Sequence, residues 1–233
     1  MANFMKDLQK LEKTLGVKFK NKDLLTQALV HRSYLNENPS FKLDHNERLE
    51  FLGDAVLEIV VTEHLYKKYP NPEGELTNWR ASLVNSISLA ELSEELKIEG
   101  FLYLSKGETK DKNSKARQYI LANAQEAIIG AIYLDQGMAA SKKYITKNMI
   151  SKLPEILETK SYIDPKTRFQ EAAQERLTTT PTYKVLKEVG PDHAKNFTIA
   201  CMLGSEVVAK GEGSSKQEAQ VEAAKNALKV KGW

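Results

Sequence analysis

The sequence predicts two domains of different class: an all-α domain over residues 1–152 and a small α+β domain over residues 163–233, joined by a linker at 153–162. Three observations carry this. Through the first 150 residues, apolar side chains recur at three- and four-residue spacing, with no run of strict alternation. Beyond residue 160, β-formers appear, and Phe197, Ile199, Cys201 and Leu203 alternate ahead of Gly204-Ser205, a two-residue hairpin signal. Between the two regions, Asp164-Pro165 sets an N-cap before a proline at the first helical position, the start of a new helix.

The elements follow in order. In "MKDLQKLEKTLGVKF", Leu8, Leu11 and Leu15 share a helix face, and Gly16 is the stop. "NKDLLTQALVHRSYL" repeats the period with Leu24, Leu25, Ala28 and Leu29. "NERLEFLGDAVLEIVV" (46–61) is apolar around most of its circumference and runs toward the breaker "YPNPEG". "ELTNWRASLVNSISLAELSEEL" gives one or two helices, and "GETKDKNSK" is a polar loop. "ARQYILANAQEAIIGAIYLDQG" is a strongly apolar helix closed by Gly137, and "AASKKYITKNMISKLPEIL" is amphipathic. In the second domain, Phe169, Ala172, Ala173 and Leu177 form the face of the first helix. The last helix offers Ala219, Ala223, Ala224, Ala227 and Leu228, so the order is α-β-β-β-α.

Composition narrows the class. At 41% hydrophobic and 28% charged residues, the chain is globular rather than disordered. The single cysteine, Cys201, precludes an intramolecular disulfide and reads as a core thiol in a reducing compartment. The opening "MANFMKDLQK" lacks a signal peptide's apolar core, and no stretch nears the roughly 20 apolar residues of a membrane span. A cytoplasmic protein with no membrane partner is expected. Residues 160–233 carry 12 Lys+Arg against 9 Asp+Glu, which is the whole net charge of +3, a slight bias toward a polyanionic partner.

The chemistry concentrates in the buried-looking helix at 46–61. Glu50 and Asp54 are four residues apart, so they lie on one face about 6 Å apart along the axis, with Glu47 on the same side. On spacing alone, a solvated stripe is as good a reading as a site. A second apolar helix offers Glu126, and if the two helices pack, three carboxylates could converge. Such a cluster repels itself unless protons or cations compensate, and hard divalent ions, above all Mg²⁺, suit it best. His31, His45, His64 and His193 form no obvious pair for general acid–base work.

"NERLEFLGDAVL" resembles the signature of the ribonuclease III family, and "ALVHRSYLNE", "EGELTNWRASLVN" and "ILANAQEAIIGAIYLDQG" resemble its other blocks in order. "DPKTRFQEAAQ", "PTYKV", "GPDHAKNFTIAC" and "GEGSSKQEAQVEAAKNAL" resemble a double-stranded-RNA-binding domain. The resemblance implies an all-α endonuclease domain followed by that α+β domain. It further implies a homodimer that hydrolyses double-stranded RNA with Mg²⁺, Mn²⁺ being a substitute, and uses no small-molecule cofactor. Each of two sites cuts one strand, leaving 5′-phosphate and 3′-hydroxyl ends with a short 3′ overhang, in rRNA, mRNA and small-RNA processing. Glu50 and Asp54 stand at the family's first catalytic carboxylates, Glu126 at its last, a metal ligand. Glu47 matches an acidic position near the metal site and dimer junction, and Glu73 one implicated in handling the scissile strand. Glu58 has no counterpart and reads as structural.

Asn123 departs from the pattern: the family has Asp-x-x-Glu where this chain has Asn123-Ala124-Gln125-Glu126. Asn123 keeps an oxygen for Mg²⁺ but loses a negative charge. It reads as a tolerated variant, as the mark of an inactivated chain kept for binding RNA, or as a packing residue. The alternative function is therefore a catalytically impaired double-stranded-RNA-binding protein on the same fold.

In the C-terminal domain the resemblance places Gln170 and Glu171 on one minor groove of the duplex. The loop between the first two strands, with Pro191, Asp192, His193 and Ala194, meets the next, and Ser214, Ser215, Lys216 and Gln217 meet the phosphates between them. The last contact also follows from the free N–H groups and positive dipole end of a helix N-terminus. The family usually has a second lysine where Gln217 stands. His31 reads as a hydrogen-bonded helix residue, His193 as an RNA contact.

Overall fold

The computed structural model describes residues 7–111, 114–191 and 195–233, and the chain divides into two compact units, Met1–Thr159 and Lys160–Trp233. The first unit is helical. Asp7 accepts a hydrogen bond from Lys10 N and starts α1 (Leu8–Leu15), which ends at Gly16 in the left-handed region (φ 69°). The stretch read as one apolar period at 21–35 is two helices, α2 (Lys22–Ala28) and α3 (Arg32–Glu37). They part because Tyr103 takes the backbone between them: Tyr103 N donates to Leu29 O at 2.9 Å, and His31 N donates to Tyr103 O at 3.1 Å.

Two 22-residue helices form the centre, α4 (Glu47–Lys68) and α8 (Lys115–Gln136). Between them lie α5 (Glu73–Val84) and α6 (Ser86–Glu95), separated by Asn85, whose side chain caps α6. A 3₁₀ turn (Ile98–Phe101) and a short helix, α7 (Lys106–Lys110), follow. The polar segment expected as a loop thus begins helical. Its last carbonyls are held by buried Arg117 of α8, whose Nε donates to Asp111 O at 3.0 Å and whose Nη2 donates to Glu108 O. The unit closes with α9 (Met138–Asn148) and α10 (Leu153–Thr159). The expected linker at 153–162 is therefore mostly helix, anchored by fully buried Leu153.

Helix α8 packs on α2, α4, α6 and α9, and Ala124, Ala127, Ile128, Ile129 and Ala131 are fully buried in it. Its closest approach is to α4, glycine against glycine. A Cβ on Gly53 would lie 1.8 Å from the Glu126 carbonyl oxygen, and one on Gly130 would lie 2.2 Å from that of Leu49. The two apolar helices differ in degree. Most of the apolar surface of α8 is spent inside the unit, with Tyr119 and Leu134 exposed at 56% and 54%, whereas α4 leaves Phe51, Ile59 and Tyr66 exposed at 81%, 55% and 79%.

The second unit runs α11 (Pro165–Leu177), β1 (Thr182–Val189), β2 (Asn196–Leu203), β3 (Glu206–Gly213) and α12 (Lys216–Lys231). Asp164 caps α11 through Lys166 N and Thr167 N, with Pro165 at the first helical position. The strands form an antiparallel sheet in the order β1-β2-β3, and Gly204 (φ 59°) and Ser205 make the two-residue turn between β2 and β3. Phe169, Ala173, Cys201, Leu203, Ala223 and Ala227 share the core, so Cys201 is the core thiol its alternation suggests. The alanine face lets α12 settle onto the sheet, where a Cβ on Gly211 would meet Ala223 N at 2.1 Å. Among the described residues, no helix is long and apolar enough to cross a membrane.

Candidate active site

The crossing of α4 and α8 brings the predicted carboxylates together. Glu50 and Asp54 flank Gly53 on α4, and the Gly53 contact lies on the backbone of Glu126 itself, so the three acids gather where the helices are closest. Glu50 is half-buried, and its Oε2 is buried without a hydrogen-bond partner. Burial raises its pKa, Glu47 and Asp54 add to the rise, and a hydrogen bond from the Asn123 side chain and the nearby His45 oppose it. Glu126 is also half-buried. Burial, then Asp54, then Glu50 push its carboxyl up to about 8. Ionised, this cluster is costly without positive charge.

A hard divalent cation fits that deficit. The donors are carboxylate oxygens plus an amide oxygen, and the orphaned Glu50 oxygen is the acceptor such an ion would satisfy. Among the described residues, however, no set of three His, Cys, Asp or Glu side chains stands in ligating geometry around one point. Asn123, one turn before Glu126, is engaged as a donor to Glu50.

Glu47 and Glu73 occupy different places. Glu47 begins α4 at the edge of the cluster, exposed, 3.5 Å from Arg32 Nη1 and 3.8 Å from His45 Nδ1. Glu73 begins α5, accepts from Thr77 Oγ1 at 2.9 Å, and lines a separate cavity of about 620 Å³ with Leu65, Tyr66 and Tyr69. Leu65 is about three turns further along α4 than Asp54, so within one chain Glu73 stands apart from the cluster. Glu58 is a structural tie: its carboxylate lies 3.3 Å from Arg80 Nε of α5, and Arg80 Nη1 also donates to Thr62 Oγ1 at 3.0 Å. His31 caps α3, its Nδ1 accepting from Ser33 N, and burial lowers its pKa.

In the second unit, Gln170 and Glu171 are exposed on α11. Ser215 caps α12 by accepting from Glu218 N at 3.2 Å, and Glu218 accepts in turn from Ser214 N at 3.0 Å. Lys216 and Gln217 are exposed in the first turn, with Lys216 Nζ 5.8 Å from the centre of the Phe197 ring. Asp192, His193 and Ala194 lie outside the described residues.

Residues 21–153 match the Ribonuclease-III-like family model. The chain is 44% identical over 227 residues to ribonuclease 3 of Nitratiruptor sp., covering 97% of each chain. It is 42% identical over 226 residues to that of Streptococcus gordonii, covering 95% of this chain and 97% of the other. This chain belongs to the ribonuclease III family. Its residues 165–231 match the double-stranded RNA binding motif. The ribonuclease III nuclease domain of Campylobacter jejuni is similar in structure, at 41% identity and a TM-score of 0.57 over 64% of this chain and 98% of that one. A second structure of that domain, described for flexibility in a region involved in dimer formation, has a TM-score of 0.54 at 42% identity, over 61% of this chain and 98% of that one.

Sequence reasoning about this ribonuclease III chain missed two sets of residues. His45 bears electrostatically on Glu50, and its position five residues upstream is a signal that could have found it. Gln125, Ser93 and Tyr144, buried behind Glu126, left no such signal: a lone glutamine in an apolar run does not name its partners.

Proposed function

We propose that this ribonuclease III-family protein hydrolyses double-stranded RNA as a homodimer, with Mg²⁺ held by Glu50, Asp54, Glu126 and the amide oxygen of Asn123. One observation carries the reading: the buried, unpartnered Glu50 Oε2 beside two further carboxylates, one of them raised to about 8. When bound, the metal supplies a lowered water pKa and positive charge for the crowded phosphodiester and its leaving 3′-oxygen. Glu50, Asp54 and Glu126 supply the anionic ligands. The apolar residues beneath them limit solvent access and strengthen every charge interaction. Asn123 holds Glu50 by a hydrogen bond and lowers the site's negative charge relative to an aspartate.

The exposed Phe51, Ile59 and Tyr66 of α4 support self-association, since apolar residues stacked on one helix favour a partner surface. Lys216 and the capped start of α12 support binding to the phosphate backbone, with positioning rather than sequence readout. Hydrolysis then leaves a 5′-phosphate and a 3′-hydroxyl.

Asn123 favours a second reading, a non-cleaving binder of duplex RNA. End-labelled duplex incubated across a Mg²⁺ series separates the two. The expected result is metal-dependent cleavage, 5′-phosphate products, and loss of cleavage in Asp54→Asn with binding retained. Duplex binding with no cleavage in either Mg²⁺ or Mn²⁺ would establish the second reading instead.

A further inference from the structure

Helix α8 presents its carboxylate face to α4 and a different polar group to the opposite side. Gln125, between Asn123 and Glu126 in sequence, is fully buried. Its Nε2 donates to the Tyr144 hydroxyl of α9 at 2.8 Å. Ser93 of α6, also fully buried, donates through Oγ to the Leu121 carbonyl of α8 at 2.8 Å, and that Oγ lies 3.4 Å from Gln125 Oε1. Tyr144 is 3% exposed. Three helices therefore meet in a buried polar network directly behind the carboxylate cluster.

Burial alone does not call for an amide here, since apolar side chains of similar volume fill such positions without a desolvation cost. Hydrogen bonds add direction and distance. Apolar contacts tolerate a helix sliding by a fraction of a turn, whereas a 2.8 Å hydrogen bond does not. On the α4 side a side-chain tie is made by Asn123 donating to Glu50, and both of these belong to the ion site itself. Gly53 and Gly130 set how near the helices come, but they have no side chains to interlock along the axis. Each residue of α8 advances about 1.5 Å, and Mg²⁺ accepts ligands only within a few tenths of an ångström of about 2.1 Å. A small axial slip of α8 is therefore enough to spoil a shared ion site.

We propose that Gln125, through Tyr144 and Ser93, is a positioning residue that fixes the axial register of α8 against α4 and so sets the distance of Glu126 and Asn123 from Glu50 and Asp54. This rests on reading those side chains as the Mg²⁺ site. The network acts on the ion and not on the RNA, because none of its members reaches the surface.

The test uses the full chain and Mn²⁺ as probe, with binding measured by electron paramagnetic resonance in the absence of RNA. Gln125→Met keeps the volume and removes both amide contacts, and Tyr144→Phe removes one oxygen. Each variant, folded by circular dichroism, is expected to bind Mn²⁺ on the order of 10-fold more weakly. The double variant should be no weaker than the worse single one, because both break the same bond. The KM for duplex RNA at saturating Mg²⁺ should stay at the parent value. If Gln125→Met does not fold, Tyr144→Phe decides alone. Parent-like Mn²⁺ affinity in the folded variants overturns the register role, and a parent that takes up no Mn²⁺ overturns the metal reading on which it rests.

Discussion

Glu126→Gln isolates what it costs to keep a carboxylate at the helix crossing. Burial, aided by Asp54 and Glu50, raises this group from its ordinary 4.5 to about 8. Below pH 4.5 it is protonated in both the folded and the unfolded chain, and no penalty arises. As the pH climbs through 4.5, the unfolded chain ionises first and the folded state loses relative stability. The loss is complete once the pH passes about 8, where both states are ionised. A tenfold change in acidity is worth about 1.4 kcal/mol, so the whole displacement corresponds to roughly 5 kcal/mol. Glu126 is only half-buried, and solvent screening brings this to about 2 kcal/mol. Glutamine carries no charge and escapes the penalty. In metal-free buffer at pH 8, urea unfolding should find Glu126→Gln more stable than the parent by about 2 kcal/mol, with the gap closing toward pH 4.5. Saturating Mg²⁺ should reverse the order, because an ion that binds only the folded parent stabilises it by mass action. A variant no more stable than the parent at the higher pH, or a gain indifferent to pH, would refute the reasoning.

Three other outcomes are expected. Gly130→Ala places a Cβ 2.2 Å from the Leu49 carbonyl and 3.1 Å from Gly53 N, forcing α4 and α8 apart. It should cost about 3 kcal/mol and lower the thermal midpoint by roughly 6–12 °C in calorimetry, where a raised midpoint would show that the contact is not tight. Asn123→Asp restores a negative charge beside Glu50, so it should lower the Mg²⁺ needed for half-maximal cleavage; an unchanged or higher requirement would count against Asn123 facing the ion. Lys216→Ala should weaken binding to duplexes of unrelated sequence about equally and reduce the salt slope by about one. A loss confined to one sequence in filter binding would contradict a backbone contact.

The pattern of the fold was legible where physics is local. The apolar periods of α4 and α8, the Asp164-Pro165 start of α11 and the Gly204-Ser205 turn all depend on neighbours within a few residues. Long-range contacts decided the rest. Leu29 and His31 break a continuous apolar period because Tyr103 claims their backbone groups, and α7 persists because Arg117 holds its end. In the site, Glu50, Asp54 and Glu126 stood out as acids in apolar surroundings, but their meeting depends on Gly53 against Gly130, a pairing that no periodicity encodes. Glu73 shows the converse. A motif position looks equivalent to the others in sequence, yet in the single chain it lies at a separate cavity.

The distribution of the two tryptophans gives the molecule a built-in optical label for each unit. Trp79 sits in α5, 6% exposed and edge-on to Tyr69 with ring centres 5.2 Å apart. Trp233 stacks on Phe169 at 5.4 Å and lies 5.5 Å from the Arg176 guanidinium. One indole thus reports from the helical unit and the other, half-buried, from beside the core of the RNA-binding unit. Trp233→Phe leaves a chain whose tryptophan fluorescence follows the first unit alone, and Trp79→Phe leaves one whose tryptophan fluorescence follows the second. With that pair, added ion and added duplex can be followed as separate signals.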